Sequence, residues 1–108
     1  MPNIRVWDKH KVVGLLSTDN RAVERAMVAL YHRQTQDEKS TSTTKHSNGK
    51  GFSAAHSNLG SYYARWVLGG RRLTGRHLSR ARMMAIYYAG QLAEIANLTE
   101  QYRARVRA

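Results

Sequence analysis

Cysteine is absent, which excludes disulfide cross-links and thiolate metal sites. Acidic residues are scarce: seven Asp and Glu stand against eighteen Lys and Arg, and none of the seven falls between Lys39 and Ala93. No apolar run approaches the roughly 20 residues needed to span a bilayer, so no membrane partner is expected. The segment from Met1 to Asp8 has neither the basic start nor the apolar core of a signal peptide, and the cytoplasm is the expected compartment. The Gly-x4-Gly-Lys-Ser/Thr spacing of a phosphate-binding P-loop is also missing.

The chain has 108 residues, a length suited to one domain with one modest core. With 42% hydrophobic and 23% charged residues it should fold rather than stay disordered. Its formal net charge is +11. Thirteen of the eighteen basic residues are Arg, whose planar fork suits bidentate contacts to phosphates or bases better than the point charge of Lys. Between Lys39 and Ala93 lie nine of these cations, and five arginines crowd into Arg71–Arg82 with no carboxylate in the stretch. Unbalanced positive charge repels itself. A patch of this kind points to a counter-charge on a partner, and nucleic acid is the commonest polyanion. A solvated basic face that only aids solubility is the plain alternative.

Along the chain, Asn3–Trp7 and Val12–Leu16 are short runs of branched apolar residues, so residues 1–16 read as a small β-hairpin or an extended arm. Ser17, Thr18 or Asp19 can cap a helix over 19–36, with Val23, Ala26, Met27, Leu30 and Tyr31 at helical spacing. Its other face carries Arg21, Arg25, His32 and Arg33, which could extend a basic surface. Residues 39–51 hold no apolar side chain and read as a long basic loop containing Lys45 and Lys50. Ser53 can cap a second helix over 53–68, which Gly69 and Gly70 stop; Gly60 inside it is either a close packing contact or a weak point. Thr74 caps a third helix over 74–98, where Leu78, Ala81, Ala85, Tyr88, Leu92 and Ile95 form a stripe in steps of three and four that Thr99, Tyr102 and Val106 prolong. Gly90 or Asn97 are candidate breaks, and 99–108 is a basic tail or a short last helix. The expected fold is therefore a mainly α, three- or four-helix compact domain, with the hairpin as an option. The stripe of the third helix can pack internally or form a homodimer.

The second and third helices resemble a helix–turn–helix unit, with Arg76, His77, Arg80 and Arg82 in the early turns of the helix that would enter a groove. Arg71, Arg72, Arg76, Arg80 and Arg82 are the expected phosphate ligands, helped by Arg65, Lys45 and Lys50, with His77 near base edges. Five such contacts on duplex DNA imply a salt slope near about −4.5, and Arg72, Arg76 and Arg80 are expected to be replaceable by Ala without harm to the fold. Tyr62, Tyr63, Trp66, Tyr87 and Tyr88 can stack on exposed bases or fill the core. Within each adjacent tyrosine pair the side chains point about 100° apart, so one of the pair should face outward. Tyr88 lies on the apolar stripe and Tyr87 off it.

Catalysis, a metal and a cofactor are not expected. No two histidines among His46, His56 and His77 have zinc-ligand spacing, and no carboxylate lies nearby in sequence to hold a metal. Ser53 and His56 have a capping spacing.

Asn48-Gly49-Lys50-Gly51-Phe52-Ser53, Arg72-Leu73-Thr74 and Tyr88-Ala89-Gly90-Gln91-Leu92 resemble a small module of phage, plasmid and bacterial mobile-element proteins. In that module an Asn-Gly-x-Gly-Phe loop precedes a helix, a basic Leu-Thr joint and a helix ending in Tyr-x-x-Gln-Leu. The resemblance covers residues 34–97, and His56 replaces the acidic residue usual after the Gly-Phe-Ser turn. It implies a DNA-handling context and, for a phage-encoded chain, the host cytoplasm. The expected function is non-catalytic nucleic-acid binding, with DNA favoured over RNA. One alternative is a phage-encoded inhibitor, of anti-CRISPR or other anti-defence type, docking on a host protein or nucleoprotein; another is a small ribosome-associated RNA binder.

Overall fold

The computed structural model describes residues 7–41 and 51–107, with side chains over 7–35 and 51–106. These residues form five helices and no strand: α1 (Lys9–Thr18), α2 (Asn20–Thr41), α3 (Ser57–Leu68), α4 (Gly75–Tyr87) and α5 (Ala89–Arg107). The mainly α expectation holds. Lys45 and Lys50 lie outside the described residues, as does most of the first expected strand.

The optional hairpin is replaced by α1. Asp8 is its N-cap, in extended backbone, and its carboxylate accepts the Lys11 N–H at 2.8 Å. Val12, Val13, Leu15 and Leu16 look like strand residues by type, yet their spacing of one, three and four also marks one helical face. The cap selects that option, and Val12 and Leu16 are buried by it. One residue then separates α1 from α2. The Asp19 N–H bonds the Leu15 carbonyl at 2.9 Å, closing α1. Its carboxylate accepts the N–H groups of Arg21 and Ala22 at 2.9 and 3.2 Å, opening α2.

α2 is the central helix. It packs on each of the other four, and Val23, Met27 and Leu30 on its inner face are fully buried. It runs on to Thr41, past the expected start of the loop at 39. On its outer face the arginines are partly compensated: Arg33 donates to Glu94 at 2.9 Å, Arg21 lies 3.7 Å from Glu24 and Arg25 lies 4.0 Å from Asp19.

α3 begins three residues later than the Ser53 cap implies. Ser53 is held elsewhere: its N–H donates to the Tyr88 hydroxyl at 2.8 Å, and His56 takes the N-cap position without a side-chain bond. At its far end Gly70 adopts φ +91°, and the N–H groups of Gly70 and Arg71 bond the carbonyls of Val67 and Trp66. This is the Schellman closure that a glycine after the last turn permits.

The expected long third helix is two helices. Thr74 is at the N-cap of α4 as expected, although its hydroxyl makes no capping bond. The chain turns at Tyr88, neither at Gly90 nor at Asn97, where the Tyr88 side chain is drawn inward against Phe52, Ser53 and His56. α5 then continues through Thr99, whose hydroxyl bonds back to the Ile95 carbonyl at 3.0 Å, so no separate last helix starts there. Tyr87 and Tyr88 divide as their spacing requires, 70% and 7% exposed.

α5 also carries two side-chain amides that pair with backbone as a neighbouring strand would. The Gln91 amide accepts the Gly51 N–H at 2.8 Å and donates to the Gly51 carbonyl at 3.0 Å. The Asn97 amide does the same to Trp7, at 3.0 and 2.9 Å. The Gly51-Phe52-Ser53 and Tyr88-x-x-Gln91 motifs are thus the two halves of one clasp.

Gly60 is a packing contact. A β-carbon there would lie 2.5 Å from the Phe52 ring, whereas one at Gly14 in α1 meets nothing. Gly60→Ala should cost about 1–3 kcal/mol through overpacking, and Gly14→Ala should gain about 0.5–1 kcal/mol from helix propensity. Urea unfolding of the two variants checks both signs.

Candidate nucleic-acid interface

The α3–α4 connection, Arg71–Thr74, has no regular secondary structure and is tied down by hydrogen bonds. Its anchor is Glu24 of α2, only 3% exposed. The Glu24 carboxylate accepts the Arg72 Nε–H at 3.1 and 3.2 Å and the Leu73 backbone N–H at 2.8 Å. Leu73 is thereby seated in the core. The Arg72 carbonyl in turn accepts the Trp66 indole N–H at 3.1 Å, which fixes the plane of that ring. Arg71 lays its guanidinium over the same ring, 4.3 Å from the centroid, in cation–π contact. One buried carboxylate thus sets the positions of two arginines and an indole.

Around this anchor the expected phosphate ligands separate into groups. Arg65, at the last turn of α3, and Arg71 line an open cleft of about 300 Å³ with Tyr62, Trp66 and Gly69. A smaller cleft of about 50 Å³ adjoins it, sharing Tyr62 and Trp66 and adding Arg72, Thr74 and His77. His77 is exposed, and its Nδ1 lies 3.1 Å from the hydroxyl of buried Tyr63. Arg76 and Arg80 are exposed one turn apart on α4. Arg65, Arg76 and Arg80 have no carboxylate partner among the described residues.

Two expectations change. Arg82 does not face outward with Arg76 and Arg80: its Nε–H donates to the Leu16 carbonyl at 2.7 Å and its terminal nitrogen to the Asn20 side chain. It ties α4 to the α1–α2 joint, satisfying a carbonyl that a helix end leaves open. Arg72 is only half available, since its positive charge already meets Glu24. The 71–82 stretch has no carboxylate in sequence, yet in space it is partly compensated.

Tyr62 and Tyr63 split as their adjacency requires. Tyr63 is fully buried, while Tyr62 is 47% exposed with its ring 5.9 Å from that of Trp66. On α4, Met83 and Tyr87 are 74% and 70% exposed and continue the line of Arg76 and Arg80 at spacings of four, three and four. Met83 was not distinguishable from core in the sequence; only its place opposite Met84 and Ala85, which are buried, marks it as outward. Glu24 is likewise not legible as a site residue in the sequence, because one carboxylate within the first two turns of a helix reads as ordinary helix-start charge. Comparison of the chain with protein-family models, with curated proteins and with solved structures found no match.

Arg72→Ala leaves the Glu24 carboxylate buried with less compensation, and should lower stability by about 1–3 kcal/mol. Arg76→Ala and Arg80→Ala should stay within about 0.5 kcal/mol of the parent, as for surface sites. Chemical denaturation of the three single variants makes the comparison.

Proposed function

We propose that the protein binds nucleic acid without catalysing a reaction on it, through the edge formed by the end of α3, the 71–74 connection and the first turns of α4. The supporting observation is the set of exposed guanidiniums of Arg65, Arg71, Arg76 and Arg80. No carboxylate neutralises them within the described residues; Arg65 and Arg71 border a fixed aromatic platform, and Arg76 and Arg80 stand one turn apart on the helix that follows. Arg72 contributes residual charge, and His77 directly follows Arg76 in sequence, lines the smaller cleft beside Tyr62 and Trp66, and opens to solvent. Phosphate contacts of this kind position a strand without reading its sequence. The mobile-element context implied by the sequence motifs, and a preference for DNA, belong to the same proposal.

A second reading is a phage-encoded inhibitor that docks on a host protein or nucleoprotein. Met83 and Tyr87 favour it, since large exposed apolar side chains beside arginines are the composition of protein interfaces. Binding to a guide-loaded defence complex, with none to bare nucleic acid, would decide for it.

Four phosphate contacts imply that log affinity falls with log salt at a slope of about −3.6 on duplex, or about −2.8 on a single strand. The double variant Arg76→Ala/Arg80→Ala should halve the slope. Fluorescence anisotropy across a salt series reads both, and an unchanged slope removes α4 from the interface.

A further inference from the structure

Resting on the nucleic-acid reading above, we infer that the cleft between Tyr62, Trp66 and Arg71 takes an unpaired base, so that the ligand is single-stranded or locally opened nucleic acid. Tyr62, Arg65, Trp66 and Gly69 recur at spacings of three, one and three, which puts them on one face of α3. That face points away from the buried side carrying Gly60, Tyr63 and Ala64. Trp66 is packed against the core and Tyr63 is within it, but Tyr62 belongs to neither group. Its ring is therefore not needed to fill the interior.

The surroundings suit a nucleotide in particular. Trp66 cannot swing away, because its indole N–H is held by the Arg72 carbonyl. One of its faces is already covered by Arg71. The remaining aromatic surface is that of Tyr62, and Gly69, having no side chain, leaves the space beside it open. Arg65 and Arg71 border this space, close enough to the aromatic surface to hold the phosphates of the nucleotide whose base stacks on it. In a closed duplex every base is already stacked on its neighbours, and an aromatic ring outside the helix gains nothing. The aromatic part of the cleft works only if a base is out of the stack.

DNA and RNA single strands share this chemistry. The experiment measures affinity for an oligo(dT) strand, an oligo(rU) strand and a blunt duplex at fixed salt. It compares the parent with Tyr62→Ala and Tyr62→Phe, after circular dichroism has shown each to be folded. The parent should prefer a single strand, and Tyr62→Ala should weaken that binding by about tenfold or more, the worth of one base–aromatic stack. Tyr62→Phe should restore it, since the ring and not the hydroxyl does the stacking. Duplex binding and the salt slope should not change in either variant, because the arginines are untouched. The preference between the two strands names the acid. Duplex binding at least as tight as single-strand binding, with Tyr62→Ala without effect, overturns the base site and leaves the phosphate interface standing. Failure to bind any of the three overturns both.

Discussion

A buried carboxylate governs the arrangement of the proposed interface. Glu24 projects from the central helix, where an isolated charge would be strongly disfavoured. It persists because Arg72 and the Leu73 N–H both donate to it, and Arg21 lies 3.7 Å away. The same bonds anchor the α3–α4 connection to α2 and seat Leu73 in the core. From that connection the Trp66 ring and the Arg71 guanidinium take their positions. Interior stability and surface geometry are thus coupled through one side chain.

A second set of polar bonds does for the rest of the fold what Glu24 does for this edge. α5 offers Gln91 to Gly51 and Asn97 to Trp7, each amide satisfying both backbone groups of its partner residue. Buried or half-buried backbone must find partners somewhere. Here two irregular segments find them on a helix, not on a strand. Phe52 fills the space that Gly60 leaves, and its ring meets Tyr88 edge to face. The residues that carry the sequence resemblance are therefore, in large part, the parts of a packing device.

Arginine serves several distinct purposes in this chain. Arg82 closes a helix joint, Arg33 pairs with Glu94, Arg72 compensates a buried acid and Arg71 lies on an indole. Arg65, Arg76 and Arg80 have none of these roles among the described residues, and they concentrate the charge on which the proposed nucleic-acid binding rests. A count of arginines overstates the charge left for the proposed interface, because four of them already have partners within the fold.

The sequence by itself determined the helical class, the inner face of α2, the glycine closure of α3, the cap position of α4 and the outward turn of Tyr87, and for Tyr62 and Tyr63 only that one of the two must turn outward. All of these follow from local periodicity and local backbone chemistry. It did not determine the state of Val12–Leu16, whose spacing fits two secondary structures until Asp8 caps one of them. Nor did it determine the break at Tyr88, since the apolar stripe runs through it without interruption. Only contact with Ser53 and His56, more than thirty positions away, turns the chain there. The division of the arginines was likewise decided by tertiary structure. Glu24 and Arg72 are 48 residues apart, Leu16 and Arg82 66 apart, and no local pattern records which cation will meet which acceptor once the helices pack.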